Sequence, residues 1–368
     1  MAYPVRHADG GRGGRAAGKP SGELSRQPHN HHPRLHVRQT RHHFTGTQLC
    51  RIEGPFDQIG VILLKTGIQG TRLRRAVAVA MTAGAFLATG TLTAAPAQAA
   101  PAKAPAAPSI GAKGGFVMDN ASGKSLYSKA ADTRRSTGST TKIMTAKVVL
   151  SHPKLNLDAK VTIQKAYSDY VVKNNASLAR LIVGDKVTVR QLLYGLMLPS
   201  GCDAAYALAD TFGSGSTREA RVKSFIAKMN STAKSLGMKN THFDSFDGIG
   251  KGNNYSTPRD LTILTRSAMK NSTFRTIVKT KSYTAKTITK TGSTRTMAPW
   301  KNTNPLLSSY KGAIGVKTGS GPQSKYCLVF AATRNGRTVI GTVLTSPSAE
   351  QRSTDATKLL NYGFARLG

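Results

Sequence analysis

Arg135-Ser136-Thr137-Gly138-Ser139-Thr140-Thr141-Lys142-Ile143-Met144-Thr145-Ala146-Lys147-Val148-Val149-Leu150 is the stretch whose reading decides the fold. It carries a Ser-x-x-Lys at Ser139 and Lys142, followed by apolar residues until Pro153 stops the run. A helix beginning near Ser139 puts residues three apart on one face, with Cβ atoms about 5–6 Å from each other. A lysine in that place takes the serine proton when it is neutral, and burial close to another cation favours the neutral form. A serine at a helix start also turns its own N–H toward a developing oxyanion. The pattern alone is unspecific, because it recurs at Ser151/Lys154, Ser231/Lys234, Ser267/Lys270 and Ser308/Lys311. The Ser139 copy is set apart by the apolar helix it leads into. The Ser151 copy contains Pro153, which breaks helical spacing.

On the N-terminal side, Gly115–Met118 and Ser125–Tyr127 read as a hairpin joined by Asp119-Asn120-Ala121-Ser122-Gly123. Pro101 to Pro108 is an Ala/Pro linker. Before it, Arg72, Arg74 and Arg75 start a basic segment, Ala76 to Thr93 is apolar, and Ala97-Gln98-Ala99 fits a small-x-small cleavage site. This is the layout of an export signal, with cleavage expected just before Ala100. Residues 1–70 are rich in Arg, His, Gly and Pro and show no sustained period. The expected organisation is therefore a non-native or disordered extension over 1–70, with Val61 one possible true start. A signal peptide over 71–99, a linker over 100–109 and one folded domain over 110–368 follow.

On the C-terminal side, Thr188-Val189-Arg190-Gln191 is a capping box opening a helix with Leu192, Leu193, Leu196 and Met197, which Pro199 ends. Asp203 is expected to cap the next helix, Ala204 to Phe212. Further helices are expected at about Thr217–Leu236 and Pro258–Lys270. After Thr273 the character turns to β, with strands at Ala313–Lys317, Tyr326–Thr333 and Thr338–Leu344. Ala349 to Leu367 reads as a final amphipathic helix. A hairpin, then helices, then strands and a helix predict an α+β fold, with one antiparallel sheet flanked by helices and a helical lobe inserted between its halves.

Bulk composition narrows the chemistry. The chain has 368 residues, 39% of them hydrophobic, and a formal net charge of +36. Over 100–368 the balance is 40 Lys and Arg against 13 Asp and Glu. Such a charge fits an anionic polymer, a membrane surface or nucleic acid as neighbour, or simply a solvated basic surface. Only His152 and His242 lie beyond residue 43, which leaves few partners for a zinc site or a Ser-His-Asp triad. Of Cys50, Cys202 and Cys327, the last two fall in the domain. They are able to pair or to stay free, and free buried thiols are the more common outcome.

Two more motifs complete a set. Ser200-Gly201-Cys202 lies in a tight turn between two apolar helices, which can point Ser200 into a cleft. Lys317-Thr318-Gly319 follows a strand, unlike its copies at Lys65 and Lys290. Lys317 there could hold a substrate carboxylate, and Gly319 lets another backbone come close. An extended peptide could add along that strand. The order Ser-x-x-Lys, Ser-x-x, Lys-Thr-Gly is that of penicillin-binding proteins and class A β-lactamases.

With RSTGSTTKIMTA (135–146), LLYGLMLPSGCDAAYALA (192–209), MKNTHF (238–243), YSTPRDLTILTRSAM (255–269) and Gly312–Gly319, the domain resembles the low-molecular-mass D-alanyl-D-alanine carboxypeptidases of serine peptidase family S11. The resemblance implies the serine β-lactamase/transpeptidase-like fold and an acyl-enzyme on Ser139, with Lys142 as general base. Ser200 would relay a proton, Lys317 and Thr318 would bind the terminal carboxylate, and the N–H groups of Ser139 and Ser320 would form the oxyanion hole. It implies no cofactor or metal. The partners implied are peptidoglycan stem peptides ending in D-Ala-D-Ala as substrate and β-lactams as covalent inhibitors. Anionic wall polymers are a further possible neighbour, and nucleic acid is not expected. The expected location is extracytoplasmic, secreted or wall-associated. Larger family members add a C-terminal β domain and anchor, which a chain ending at its last helix is expected to lack. Cys202 stands where the family usually has Asn, and a thiol is a poor partner for a substrate amide. The balance of hydrolysis against transpeptidation is therefore open. A β-lactamase is the first alternative, but neither Glu219 nor Glu350 lies in a Glu-x-x-x-Asn pattern. A non-catalytic basic wall-binding protein is the second, and an intact Ser139, Lys142, Ser200 and Lys317 speaks against it.

Overall fold

The computed structural model describes residues 105–368 apart from residue 251. The expectations for an extension, an export signal and a cleavage site fall outside the described residues. Residues 105–109, the end of the expected linker, carry no regular structure, and Ile110 is the first residue of the core.

The hairpin forms β1 (Gly114–Asp119) and β2 (Ser125–Lys129). Ser139 does not open an α-helix as expected. It lies in a 3-10 turn, Gly138–Thr141, and α1 (Lys142–Leu150) begins at the lysine. Next come β3 (Lys160–Thr162), α2 (Lys165–Lys173), β4 (Lys186–Thr188) and α3 (Val189–Met197). The capping box is present: Gln191 N donates to Thr188 Oγ1 at 3.1 Å, and Thr188 N donates to Gln191 Oε1 at 2.9 Å. α4 (Cys202–Phe212) and α5 (Arg218–Ser235) complete the helical lobe, and α6 (Pro258–Ala268) packs back on β1; Thr217 and Thr257 are the N-caps of α5 and α6.

The β character expected after Thr273 starts later. α7 (Ser272–Lys279) comes first, capped by the Asn271 side chain, with Phe274, Ile277 and Val278 on its buried face. Burial of that face overrides the low helix propensity of its threonines and valine. Four short strands follow: β5 (Ser282–Tyr283), β6 (Lys286–Ile288), β7 (Thr294–Thr296) and β8 (Trp300–Lys301). After α8 (Leu306–Ser309) come the long strands β9 (Ala313–Gly321), β10 (Lys325–Arg334) and β11 (Arg337–Ser346), then α9 (Ala349–Leu367).

The main sheet is antiparallel, in the order β2-β1-β11-β10-β9, so both ends of the domain share it as the pattern predicted. A second small sheet, β3-β4-β6-β7, was not expected; its strands of three residues leave no sequence period to read. Alternation divides the main sheet's side chains. Val117, Leu328, Phe330 and Val343 pack with Ala356, Leu359 and Leu360 of α9. Phe116, Val329, Ala331 and Ile340 face the core that includes Ile143, Leu261 and Leu264. Each fully buried Leu or Phe contributes roughly 1.5–3 kcal/mol by its removal from water. Buried Asp355 of α9 ties down the first residues of the domain, accepting from Gly111 N at 3.0 Å and Ala112 N at 2.7 Å. Strand β9 is one edge of this sheet, and the turn holding Ser139 lies against it.

Candidate active site

The contact between edge strand and turn depends on a glycine. A Cβ at Gly319 would sit 2.7 Å from Thr137 O and 3.1 Å from Thr140 N. The backbone that comes close at Gly319 is thus the chain's own. Asn254 Nδ2 holds the turn from behind, donating to Thr137 Oγ1 at 2.9 Å and Thr141 Oγ1 at 3.0 Å. From the other side, residues 245–249 wrap the turn. Thr145 Oγ1 donates to Phe246 O, and Gly248 at φ +96° lies against Gly138 O.

Lys142, fully buried, reaches three groups with its Nζ: Ser139 Oγ at 2.8 Å, Asp247 O at 3.0 Å and Cys202 Sγ at 3.3 Å. These three contacts hold the amine of Lys142 against the Ser139 hydroxyl. Ser139 is brought together with its expected base.

Ser200 borders the same cleft but is not bonded to Lys142. Its φ is +67°, and its Oγ is buried without a hydrogen-bond partner among the described residues. Such backbone strain in a non-glycine residue costs about 1–3 kcal/mol and needs surroundings that fix it. Those surroundings are the segment 177–181. Ser177 Oγ donates to Ser200 O at 2.6 Å, and Cys202 N donates to Ser177 O at 2.8 Å. Asp203 is not the N-cap that its position suggested. Gly201 is the cap residue, and the Asp203 carboxylate accepts from Ala179 N at 2.8 Å, Leu181 N at 3.1 Å and Ala204 N at 2.9 Å. Burial pushes this carboxyl above its ordinary range, against the pull of those N–H groups. Trp300 Nε1 adds a bond to Ala179 O at 2.7 Å.

The cleft has a volume of about 540 Å³ and is walled by Ser139, Asn175, Ser200, Thr318, Ser320 and Arg352, among others. Thr318 Oγ1 is 2.6 Å from Thr303 Oγ1. Lys317 is not in the wall. It is 1% exposed, its Nζ donates to Thr318 O at 3.0 Å, and burial followed by the charge of Lys142 holds it well below the ordinary lysine range. The cation in the wall is Arg352, in the first turn of α9, which sequence reading missed. Its Nη1 makes two long bonds of 3.4 Å to Gly319 O and Cys327 O, and its Nε has no partner. Burial lowers its pKa from the ordinary arginine value. A half-satisfied guanidinium beside Thr318 is a site for a carboxylate. Cys202 and Cys327 are both buried and free. The other Ser-x-x-Lys copies do not border this cleft, and no cluster of metal-ligating side chains occurs among the described residues.

An antiparallel sheet flanked by helices, with Ser139 and Lys142 under its edge strand, defines an active-site serine enzyme of the penicillin-binding class. The chain belongs to the D-alanyl-D-alanine carboxypeptidase family, peptidase S11, which matches residues 101–348. It is similar to the D-alanyl-D-alanine carboxypeptidase of Streptomyces sp. strain K15, 74% identical over 294 residues, covering 80% of this chain and 99% of that one. It is 32% identical over 262 residues to DacF of Bacillus subtilis, covering 69% of this chain and 62% of the relative. Among solved structures, the Streptomyces K15 DD-transpeptidase superposes with a TM-score of 0.70 at 78% identity, covering 71% of this chain and all of that one. DacD of Francisella tularensis matches with a TM-score of 0.61 at 29% identity, covering 70% and 71%.

Proposed function

We propose that this chain is a serine D-alanyl-D-alanine carboxypeptidase/transpeptidase that processes peptidoglycan stem peptides through an acyl-enzyme on Ser139. The observation that carries the reading is the 2.8 Å contact of Ser139 Oγ with buried Lys142 at the floor of a cleft holding Ser200, Thr318 and Arg352. The terminal carboxylate sits at Arg352 and Thr318, with Lys317 behind them. The scissile carbonyl oxygen lies between the N–H groups of Ser139 and Ser320. Ser139 Oγ attacks the carbonyl carbon and its proton passes to Lys142 Nζ. The proton then reaches the departing D-alanine nitrogen with Ser200 as relay, and the C–N bond breaks. Water or an amine resolves the ester. Ser139→Ala should abolish release of D-alanine from a D-Ala-D-Ala peptide. Persistence of more than about a thousandth of the rate refutes the assignment.

Cys202, and not a carboxamide, faces Lys142 at 3.3 Å. Cys202→Asn should change the ratio of hydrolysed to transferred product when an acceptor amine is present; an unchanged ratio removes the thiol from partitioning. Among the described residues the cleft wall contains no carboxylate to activate a deacylating water. β-Lactams should therefore form long-lived adducts, which disfavours the β-lactamase reading.

Export is part of the proposal, and Ala100 as the first residue of the mature protein is its test; a mature chain that retains residues 71–99 counts against it. The small sheet suits an anionic wall polymer. By register its outer face carries exposed Lys160, Lys186 and Lys286 among Thr162, Thr188, Thr294 and Thr296, with no acid. Binding to isolated walls that weakens with salt, and weakens on changing those lysines to serine, supports this neighbour.

A further inference from the structure

Thr303 lines the cleft but has no part in the reaction above. It lies in the connection between β8 and α8, and its backbone is tied to the turn that presents Ser200. Thr303 N donates to Leu198 O at 3.2 Å, immediately before Pro199. Its neighbours are fixed as well. Asn302 N donates to Lys281 O at 2.8 Å, Asn302 Nδ2 donates to Thr280 O at 2.9 Å, and Asn304 Oδ1 accepts from Leu306 N at 3.1 Å. The Thr303 side chain reaches the other way. Its Oγ1 is 2.6 Å from Thr318 Oγ1 on β9, so this residue links the Ser200 turn to the strand that carries the carboxylate site.

Two hydroxyls in contact place one hydrogen between them and leave the other free to point elsewhere. A carboxylate decides which. Arg352 bonds the carbonyl of Gly319, the residue after Thr318, so a carboxylate drawn to its guanidinium arrives beside the Thr318 hydroxyl. An ionised carboxylate offers only lone pairs, so Thr318 meets it by donating. The Thr318 oxygen is then left to accept, and Thr303 Oγ1 is the donor within reach. We propose that Thr303 is a positioning residue, whose hydroxyl donates to Thr318 Oγ1 and thereby aims the Thr318 hydrogen at the terminal carboxylate of the substrate. The inference rests on the carboxylate site at Arg352 and Thr318 proposed above.

In the row that results, Thr303 to Thr318 to carboxylate, both hydrogens point the same way, and each bond polarises the next. Thr318 is buried and Thr303 is exposed to the cleft. A buried hydroxyl with its oxygen already satisfied has one hydrogen to give and one direction in which to give it. The β-branch of Thr303 restricts its own χ1, which helps to hold the donor in place. The tether to Leu198 O is made by the main chain. Thr303→Val therefore keeps the shape and the tether and removes the hydroxyl alone. Thr303→Ser keeps the hydroxyl and removes the methyl.

The test compares the native chain with Thr303→Val, Thr303→Ala, Thr303→Ser, Thr318→Val and the double variant Thr303→Val/Thr318→Val. Steady-state release of D-alanine from a D-Ala-D-Ala peptide gives KM and kcat for the native chain and the Thr303 variants. The rate of acylation by a fluorescent penicillin, which carries its own carboxylate, completes the cycle with Thr318. Thr303→Val and Thr303→Ala should each raise KM about five- to tenfold and change kcat less than about twofold, the pattern of lost binding. Thr303→Ser should stay within about twofold of the native chain. Thr303→Val should slow penicillin acylation about five- to tenfold in the native background, and less than about twofold where Thr318 is already valine. A KM within twofold of native for both Thr303→Val and Thr303→Ala overturns the proposal. A serine variant as weak as the alanine one, or equal losses with and without the Thr318 hydroxyl, also overturns it. A Thr318→Val chain that acylates at the native rate, or a native chain that takes no label on Ser139, sinks the parent reading instead.

Discussion

Asp203→Ala should unbrace the turn that presents Ser200. The carboxylate accepts three backbone N–H groups, and two of them, Ala179 N and Leu181 N, belong to a segment with no helix or strand to satisfy them otherwise. Each buried donor left without a partner costs about 1–3 kcal/mol. Part of that loss is offset, because burial already penalises the charged carboxylate in the native state. The net cost is then about 3–4 kcal/mol, or roughly 6–16 °C in Tm for a domain of this size. Asp203→Asn keeps an oxygen where Oδ1 receives Ala179 N and Ala204 N and loses the bond from Leu181 N, so it should cost about 1–2 kcal/mol. Urea unfolding gives the stabilities, and penicillin acylation of the folded fraction reports on Ser200 and Ser177. Stability should fall in the order Asp, Asn, Ala, with acylation falling alongside. An Ala variant within about 1 kcal/mol of the native chain, or an Asn variant less stable than Ala, refutes the bracing role.

Arg352→Gln should raise KM for peptides with a free terminal carboxylate by about 10–100-fold, the worth of a charged hydrogen bond, and should affect the amidated peptide far less; equal effects on both would remove Arg352 from carboxylate binding. Gly248→Ala places a Cβ against Gly138 O and 3.1 Å from Ser139 N, so acylation should fall at least about a hundredfold. Gly252→Ala is its control: φ is similarly positive, at +100°, but nothing lies within 4 Å, and only about 1–2 kcal/mol of backbone strain is expected. Burial raises the Cys327 thiol from 9.0 to about 11. The folded chain therefore keeps a proton that the unfolded chain releases, and stability should fall by roughly 2–3 kcal/mol as pH climbs from 9 through 11. Cys327→Ala should flatten that decline in denaturation measured across pH, and an unchanged slope would count against the burial argument.

What was legible in the sequence was what local pattern encodes. The Thr188–Gln191 capping box, the β1–β2 hairpin and the long strands β9 to β11 each declare themselves through residues near one another. Of the residues in the three motifs, Ser139, Ser200 and Thr318 line one cleft, and Lys142 reaches Ser139 from beneath it. α7 was missed because its threonines and valine read as strand, although Asn271 offered the cap signal. Arg352 was invisible as a site residue because only the docking of α9 on the sheet carries its guanidinium to the cleft. Asp203 was legible as an acid but not as a brace, since Ala179 and Leu181, which it holds, lie more than 20 residues away. Lys317 was read from its motif as a holder of the substrate carboxylate, whereas its side chain is buried with its Nζ on Thr318 O.

The central claim is that Ser139, activated by Lys142, carries the acyl group. The most direct measurement is incubation with labelled penicillin, followed by proteolysis and mapping of the labelled peptide. The account predicts one stable adduct on the Ser139 hydroxyl, absent in Ser139→Ala and strongly slowed in Lys142→Gln. Label on any other serine, or none in the native chain, would contradict it.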